Sequence, residues 1–334
     1  MNLLSALQAH RPLAIDPIRV RAFLASAEQI MARPDLAHLL SKYADQNRKL
    51  KKAMRPYNEK YAIYSADDEE DEDEGDEMMH LKARMMKSMS IPYVQDGVGI
   101  ITLDGVIGKG LSPLEVMLGA VDIDRISALL DAWAERPDVQ EVIFKFDSGG
   151  GTTTGLEELA KKIRTFSKPT IAYCESNCGS AAFWLASQCN RFAVTPSAEI
   201  GAVGIYLNIT DETEKYAKEG KKVIQIKSGR FKGVGVAGVA LSKEQEENLQ
   251  EECVEQHRRF IRDVKSVRMF VNEDDLQGQT FYGDIAVQRG LATTVVDSFK
   301  QLLEDTKNFR NRISKQMIPT AYGVTQTPSV PAIG

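Results

Sequence analysis

The chain has 334 residues with 43% hydrophobic content, enough for one large folded domain plus an extension, which excludes a fibrous or wholly disordered protein. Its net charge of −5 is misleading, because ten acids between Asp67 and Glu77 stand in one block, and without them the remainder is at about +5. The N-terminal stretch MNLLSALQAHRPLAIDP is broken by His10, Arg11 and Pro12 before any secretory apolar run develops. No later stretch holds the roughly 18 uninterrupted apolar residues that a membrane helix needs. Both readings point to a soluble cytoplasmic protein. Cys174, Cys178, Cys189 and Cys253 lack zinc-site spacing and are too few for a disulfide framework, so they read as structural thiols, with no metal or cofactor implied.

Residues 1–64 read as a helical extension, with three-and-four apolar spacing over 20–31 and 36–51. Residues 65–90, the acidic run and its flanks, repel themselves and bury nothing, which predicts a disordered linker. A catalytic domain is expected over 91–300 and a largely disordered tail over 301–334.

From Val98 the texture is that of an α/β domain, with short apolar runs alternating with helical periods. VGIITLDGVI reads as a strand and its turn, IDRISALLDAWAE as an amphipathic helix, and VQEVIFKF as a buried strand ending at Asp147. After the glycine run come the helix LEELAKKIRTF, the strand PTIAYCE, the helix AAFWLASQC and the strand RFAVTP. KVIQIKSG reads as a further strand, LSKEQEENLQEECVEQHRRFIRDVKSVR as a long helix with one buried face, and FYGDIAVQRGLATTVVDS as a short helix and strand.

Two loops rich in small residues sit where strands end and helices begin: DSGGGTTTG at 147–155 and CGSAAFW at 178–184. Such loops direct backbone N–H groups outward and suit an anion or a developing oxyanion. For the glycine run alone, a tight turn is as good a reading as a site. A Walker-type phosphate loop is disfavoured, because Leu156 and Glu157 follow Gly155 where Lys and Ser/Thr are required. Ser180, between Gly179 and Ala181 and just before an apolar helix, is either a helix N-cap or an exposed nucleophile.

A serine nucleophile needs a proton acceptor, and the four histidines do not supply an obvious one. His10, His38 and His80 lie in the extension or linker, and His257 lies on the charged helix. A Ser-Lys pair is the economical alternative. Lys232, in the glycine-flanked SGRFKGVG, is the preferred base, and Lys227 competes with it. A lysine base must be neutral, which burial near the site favours.

The order of glycine loop, serine in ESNCGSAAFW and lysine in IKSGRFKGVG, with the later QTFYGDIAVQRGLATTVVD, resembles the signal peptide peptidase A family of serine proteases over about 98–296. The resemblance implies a Clp/crotonase fold of repeated β-β-α units. It also implies Ser180 as nucleophile, Lys232 as base, and the amides of Gly150 or Gly151 and of Ala181 as oxyanion hole. Gly149 stands where that family commonly has proline, which leaves the loop less rigid. With no membrane anchor before the domain, the chain looks most like the phage head maturation proteases of the same family. These act on scaffold, portal or coat protein in the host cytoplasm or inside the assembling prohead. A homo-oligomer is expected, with no nucleic acid and no membrane partner. The alternatives are a cytosolic bacterial peptidase of this family, a noncatalytic capsid assembly protein with the same fold, and, more remotely, an acyl-CoA enzyme of crotonase type.

Overall fold

The computed structural model describes residues 13–15 and 92–317. The predicted helical extension, apart from residues 13–15, and the acidic linker lie outside the described residues. Residues 13–15 are not helical but form a strand, β1 (Leu13–Ile15).

The region from Val98 onward is built from a strand–strand–helix unit used twice. In the first, β3 (Val98–Asp104) is followed by β4 (Ile107–Gly108) and, after a short helix α1 (Pro113–Met117) and strand β5 (Val121–Asp122), by α2 (Ile123–Ala134). In the second, β6 (Glu141–Ser148) is followed by β7 (Gly150–Thr152) and α3 (Leu156–Arg164). The first strands of the two units pair in parallel, Val98 opposite Glu141 through Asp104 opposite Asp147. The second strands pair in a separate sheet, Ile107 opposite Gly151. Each unit therefore contributes one strand to each of two sheets, which is the repeated β-β-α architecture that the family resemblance implies.

The larger sheet continues through β8 (Thr170–Gly179) and β10 (Glu199–Gly201) to β11 (Thr280–Tyr282), with β2 (Tyr93–Gln95) at its other edge. Strand β9 (Arg191–Val194) also pairs with β8 and carries β12 (Thr294–Val295) beside it. The smaller sheet has the order β1-β7-β4-β5.

Strands of the larger sheet are apolar on both sides because both sides are covered. On one side Leu103, Phe144, Phe146, Ala172 and Cys174 join the main core with the α2 stripe of Ile126, Leu129, Leu130 and Trp133. On the other, Ile100, Ile143, Ile171 and Tyr173 meet Leu302, Phe299 and Leu303. These last three belong to α8 (Phe299–Met317), the final helix of the described chain. The expectation of a largely disordered 301–334 is thus corrected for 301–317: the helix forms because the sheet's second apolar face needs a cover. Arg310 locks it down through an ion pair to the buried Glu141 at 3.0 Å.

Two other expectations change. The predicted long helix is α6 (Lys243–Val267), started by a Ser242/Gln245 capping box, but its core contacts are concentrated at Phe260, Asp263 and Val264 near its C-terminus. The predicted strand KVIQIKSG has no regular structure, and Ile224 and Ile226 stand 76% and 96% exposed. Among the described residues no strand pairs with it, and an extended segment without a ladder partner does not become a strand.

Candidate functional site

Two of the three described non-glycine residues with positive φ, Ser180 and Ala202, lie side by side in the fold. Strand β8 runs into Gly179, Ser180 makes the turn, and α4 (Ala181–Ser187) begins immediately. Ser180 holds φ 53° and ψ −117°, a region that costs a side-chain-bearing residue about 1–3 kcal/mol. Its backbone is held from both sides, the N–H donating to the Gly201 carbonyl at 2.8 Å and the carbonyl accepting from Trp184 N–H at 2.8 Å. Gly201 is paired with Gly179, and Ala202 N–H is tied to Gln279 O at 2.7 Å.

The turn separates the two readings of Ser180. An N-cap serine has extended backbone angles and accepts a hydrogen bond from the first helical turn. Ser180 has neither: φ is positive and its side chain caps nothing. The residue is 3% exposed, and its hydroxyl is left for other work at a strained position.

The glycine loop reaches the same place. Ser148 at the end of β6 is registered against Cys178 on β8, and a Cβ placed on Gly179 would lie 3.5 Å from the Gly149 carbonyl. Residues 147–155, one loop by their sequence, contain the short strand β7. Gly150 turns the chain at φ 111°, and Gly151 passes so close to the Ile107 carbonyl that any side chain would collide with it. Ser148 was not singled out from the sequence, although its place just before the glycine run was the available signal. Its hydroxyl donates to Gly105 O at 2.5 Å and accepts from Gly150 N–H at 3.1 Å, tying the loop to the β3–β4 turn.

Of the expected oxyanion donors, the Gly150 amide is therefore engaged by Ser148 Oγ. Ala181 opens α4, where an amide has no preceding helical carbonyl to pair with. Helix α4 is fixed by its far side: Trp184 stacks on Phe260 with ring centroids 4.4 Å apart and donates to the buried Asp263 at 3.0 Å. Gln188 bonds both Arg164 and the Asp263 carbonyl. This anchor was also missed, because it joins residues 79 positions apart.

Lys232 is in a turn, its N–H bonded to Gly229 O at 3.2 Å, on the irregular segment after Gly220. That segment is stitched to itself by Gln225 to Gly233 O and to α6 by Gln245 to Arg230 O. Lys232 and Lys227 are both exposed, and no hydrogen bond joins either to Ser180. The structure thus brings together Ser180, Ala181, Gly150 and Gly151 and leaves Lys232 on the surface of the single chain. His257, the one histidine among the described residues, bonds Leu276 O at 2.8 Å. Burial pushes the Cys178 thiol well up and Cys189 up to about 12, consistent with structural thiols. Among the described residues there is no metal-binding group of acids, Cys and His, and no helix long and apolar enough to cross a membrane.

The strand–turn–helix that presents Ser180 lies inside a recognisable sequence segment. Residues 162–310 match peptidase family S49. The S49 segment is just under half of the chain and contains both Ser180 and Lys232, while Gly150 and Gly151 precede it. The head-tail preconnector protein GP5 of Enterobacteria phage P21 is 26% identical over 210 residues, covering 61% of this chain and 42% of that protein. The capsid assembly protease C of Escherichia phage lambda is 26% identical over 214 residues, covering 61% of this chain and 48% of its own. The chain thus spans about half the length of these two phage relatives. Among solved structures, an enoyl-CoA hydratase from Shewanella pealeana aligns with 11% identity and a TM-score of 0.41, over 70% of this chain and 77% of that one.

Proposed function

We propose that the chain is a serine endopeptidase with Ser180 as nucleophile and Lys232 as general base, acting on scaffold, portal or coat protein during phage head maturation. The observation that carries this is Ser180 itself, a buried, strained serine whose hydroxyl caps nothing, inside the S49 segment and beside a glycine loop. The phage setting draws on the two phage relatives.

In the reaction, neutral Lys232 Nζ takes the Ser180 proton as Oγ bonds to the scissile carbonyl carbon. The resulting oxyanion is met by the amides of Ala181 and of Gly151, or of Gly150 once it is released from Ser148 Oγ. Lys232 then returns the proton to the leaving amine as the C–N bond breaks. Water then gives its proton to the same lysine as its oxygen bonds to the ester carbon; the C–Oγ bond breaks and Lys232 returns the proton to Ser180 Oγ, which frees the serine and regenerates the neutral lysine. Because Lys232 is exposed in the single chain, this mechanism needs the 221–241 segment to be covered, and we assign that cover to a second copy of the chain.

The test is labelling by a fluorophosphonate together with cleavage of a scaffold-derived peptide. Ser180→Ala is expected to abolish both, and Lys232→Ala and Lys232→Arg to abolish cleavage, since guanidinium stays protonated. Labelling independent of Ser180 would refute the nucleophile. A folded Lys232→Ala variant with most of its rate would refute the base and turn attention to Lys227.

A further inference from the structure

Strand β7 carries the glycines next to Ser180, and its second edge is not empty. Strand β1 lies along it antiparallel, with Leu13 opposite Thr152, Ala14 opposite Gly151 and Ile15 opposite Gly150. The partners are more than 130 positions apart, so no hairpin forces the pairing. In the order β1-β7-β4-β5, removing β1 would leave β7 as an open edge with unpaired backbone groups, a ready template for an added strand. In the sequence this segment stands between Pro12 and Pro17, neither of which has a backbone N–H to donate to a ladder. It is thus a short extended peptide laid across the two glycines assigned to the oxyanion site.

We propose that Leu13–Ile15 is the resident occupant of the enzyme's peptide-docking edge, so that an extended substrate strand must displace it before cleavage. The inference rests on the protease reading, because only then is the strand beside Gly150 and Gly151 the place of a substrate. The N-terminal segment becomes a built-in competitor that holds the site closed until it is withdrawn.

The experiment uses the full chain with Ala14→Pro and, separately, Ile15→Pro. Successive N–H groups of a strand point to opposite sides, so one of the two substitutions removes a donor facing β7. Hydrogen exchange at Gly150–Thr152 reports docking without any need for activity, and the rate of fluorophosphonate labelling at Ser180 reports access. Faster exchange and faster labelling in one variant are expected; a site open a tenth of the time gains about ten-fold when its occupant is removed. A synthetic HRPLAIDPI peptide, residues 10–18, is expected to slow labelling of that variant again. Unchanged exchange and labelling in both variants, with no competition by the peptide, would overturn the proposal while leaving Ser180 chemistry standing. Faster exchange with no Ser180-dependent labelling in any form would instead overturn the protease reading, and substrate competition with it.

Discussion

At Ser180 the chain tolerates backbone strain that glycine would avoid. Replacing it by glycine should therefore raise stability by about 1 kcal/mol, within the strain range for such angles, while abolishing fluorophosphonate labelling. Thermal unfolding beside the labelling assay checks this, and a destabilised Ser180→Gly would show that the hydroxyl is structural. The buried thiols give a pH prediction. Cys189 is raised by burial from an ordinary value of 9.0 to about 12, so the folded state holds its proton where the unfolded chain releases it. Its contribution is fully present below about pH 9 and is lost as pH rises toward 12. Denaturant midpoints should fall across that window, and less so in Cys189→Ala once its lower starting stability is subtracted. In the native protein at pH 8, iodoacetamide should modify the half-buried Cys253 ahead of Cys174, Cys178 and Cys189.

At the scale of elements, α8 closes one face of the larger sheet through a few side chains. Leu302 is fully buried there among Ile100, Ile143 and Tyr173, and the Phe299 ring lies 5.1 Å from that of Tyr173. Leu302→Ala should cost about 2–5 kcal/mol by transfer loss and cavity formation, read as a lower denaturant midpoint. Loss of less than about 0.5 kcal/mol, the range of surface substitutions, would show that α8 is not a structural cover. The helix was not legible from the sequence as a cover. Its own periodicity is visible, but the need for it arises only when the parallel strands show two apolar faces.

For the whole molecule, the exposed apolar side chains of 223–236 flank the segment that bears Lys232. Ile224, Ile226, Phe231 and Val236 are all exposed on a segment without a ladder. If copies of the chain cover this segment, Ile224→Asp with Ile226→Asp should reduce the assembly to monomers and abolish peptide cleavage, while the far-ultraviolet circular dichroism is unchanged. Light scattering measures the first effect. A wild-type chain that is a fully active monomer would exclude the second copy as the cover.

What the sequence determined by itself was whatever is written in neighbouring residues. The alternation of apolar runs and helical periods located β3, β6, β8 and the helices between them, and the small residues around Gly149 and Ser180 marked both loops. What only the tertiary structure decided depends on residues far apart in the chain. The pairing of Ser148 with Cys178 puts the two loops together, and the positive φ of Ser180 distinguishes it from an N-cap. Among the described residues 222–229 find no ladder partner and stay irregular despite a strand-like pattern, while Leu13–Ile15, within the expected helical extension, pair with the edge of β7 as a strand. Local periodicity reports what a segment is able to form; ladder partners and covered faces decide what it does form.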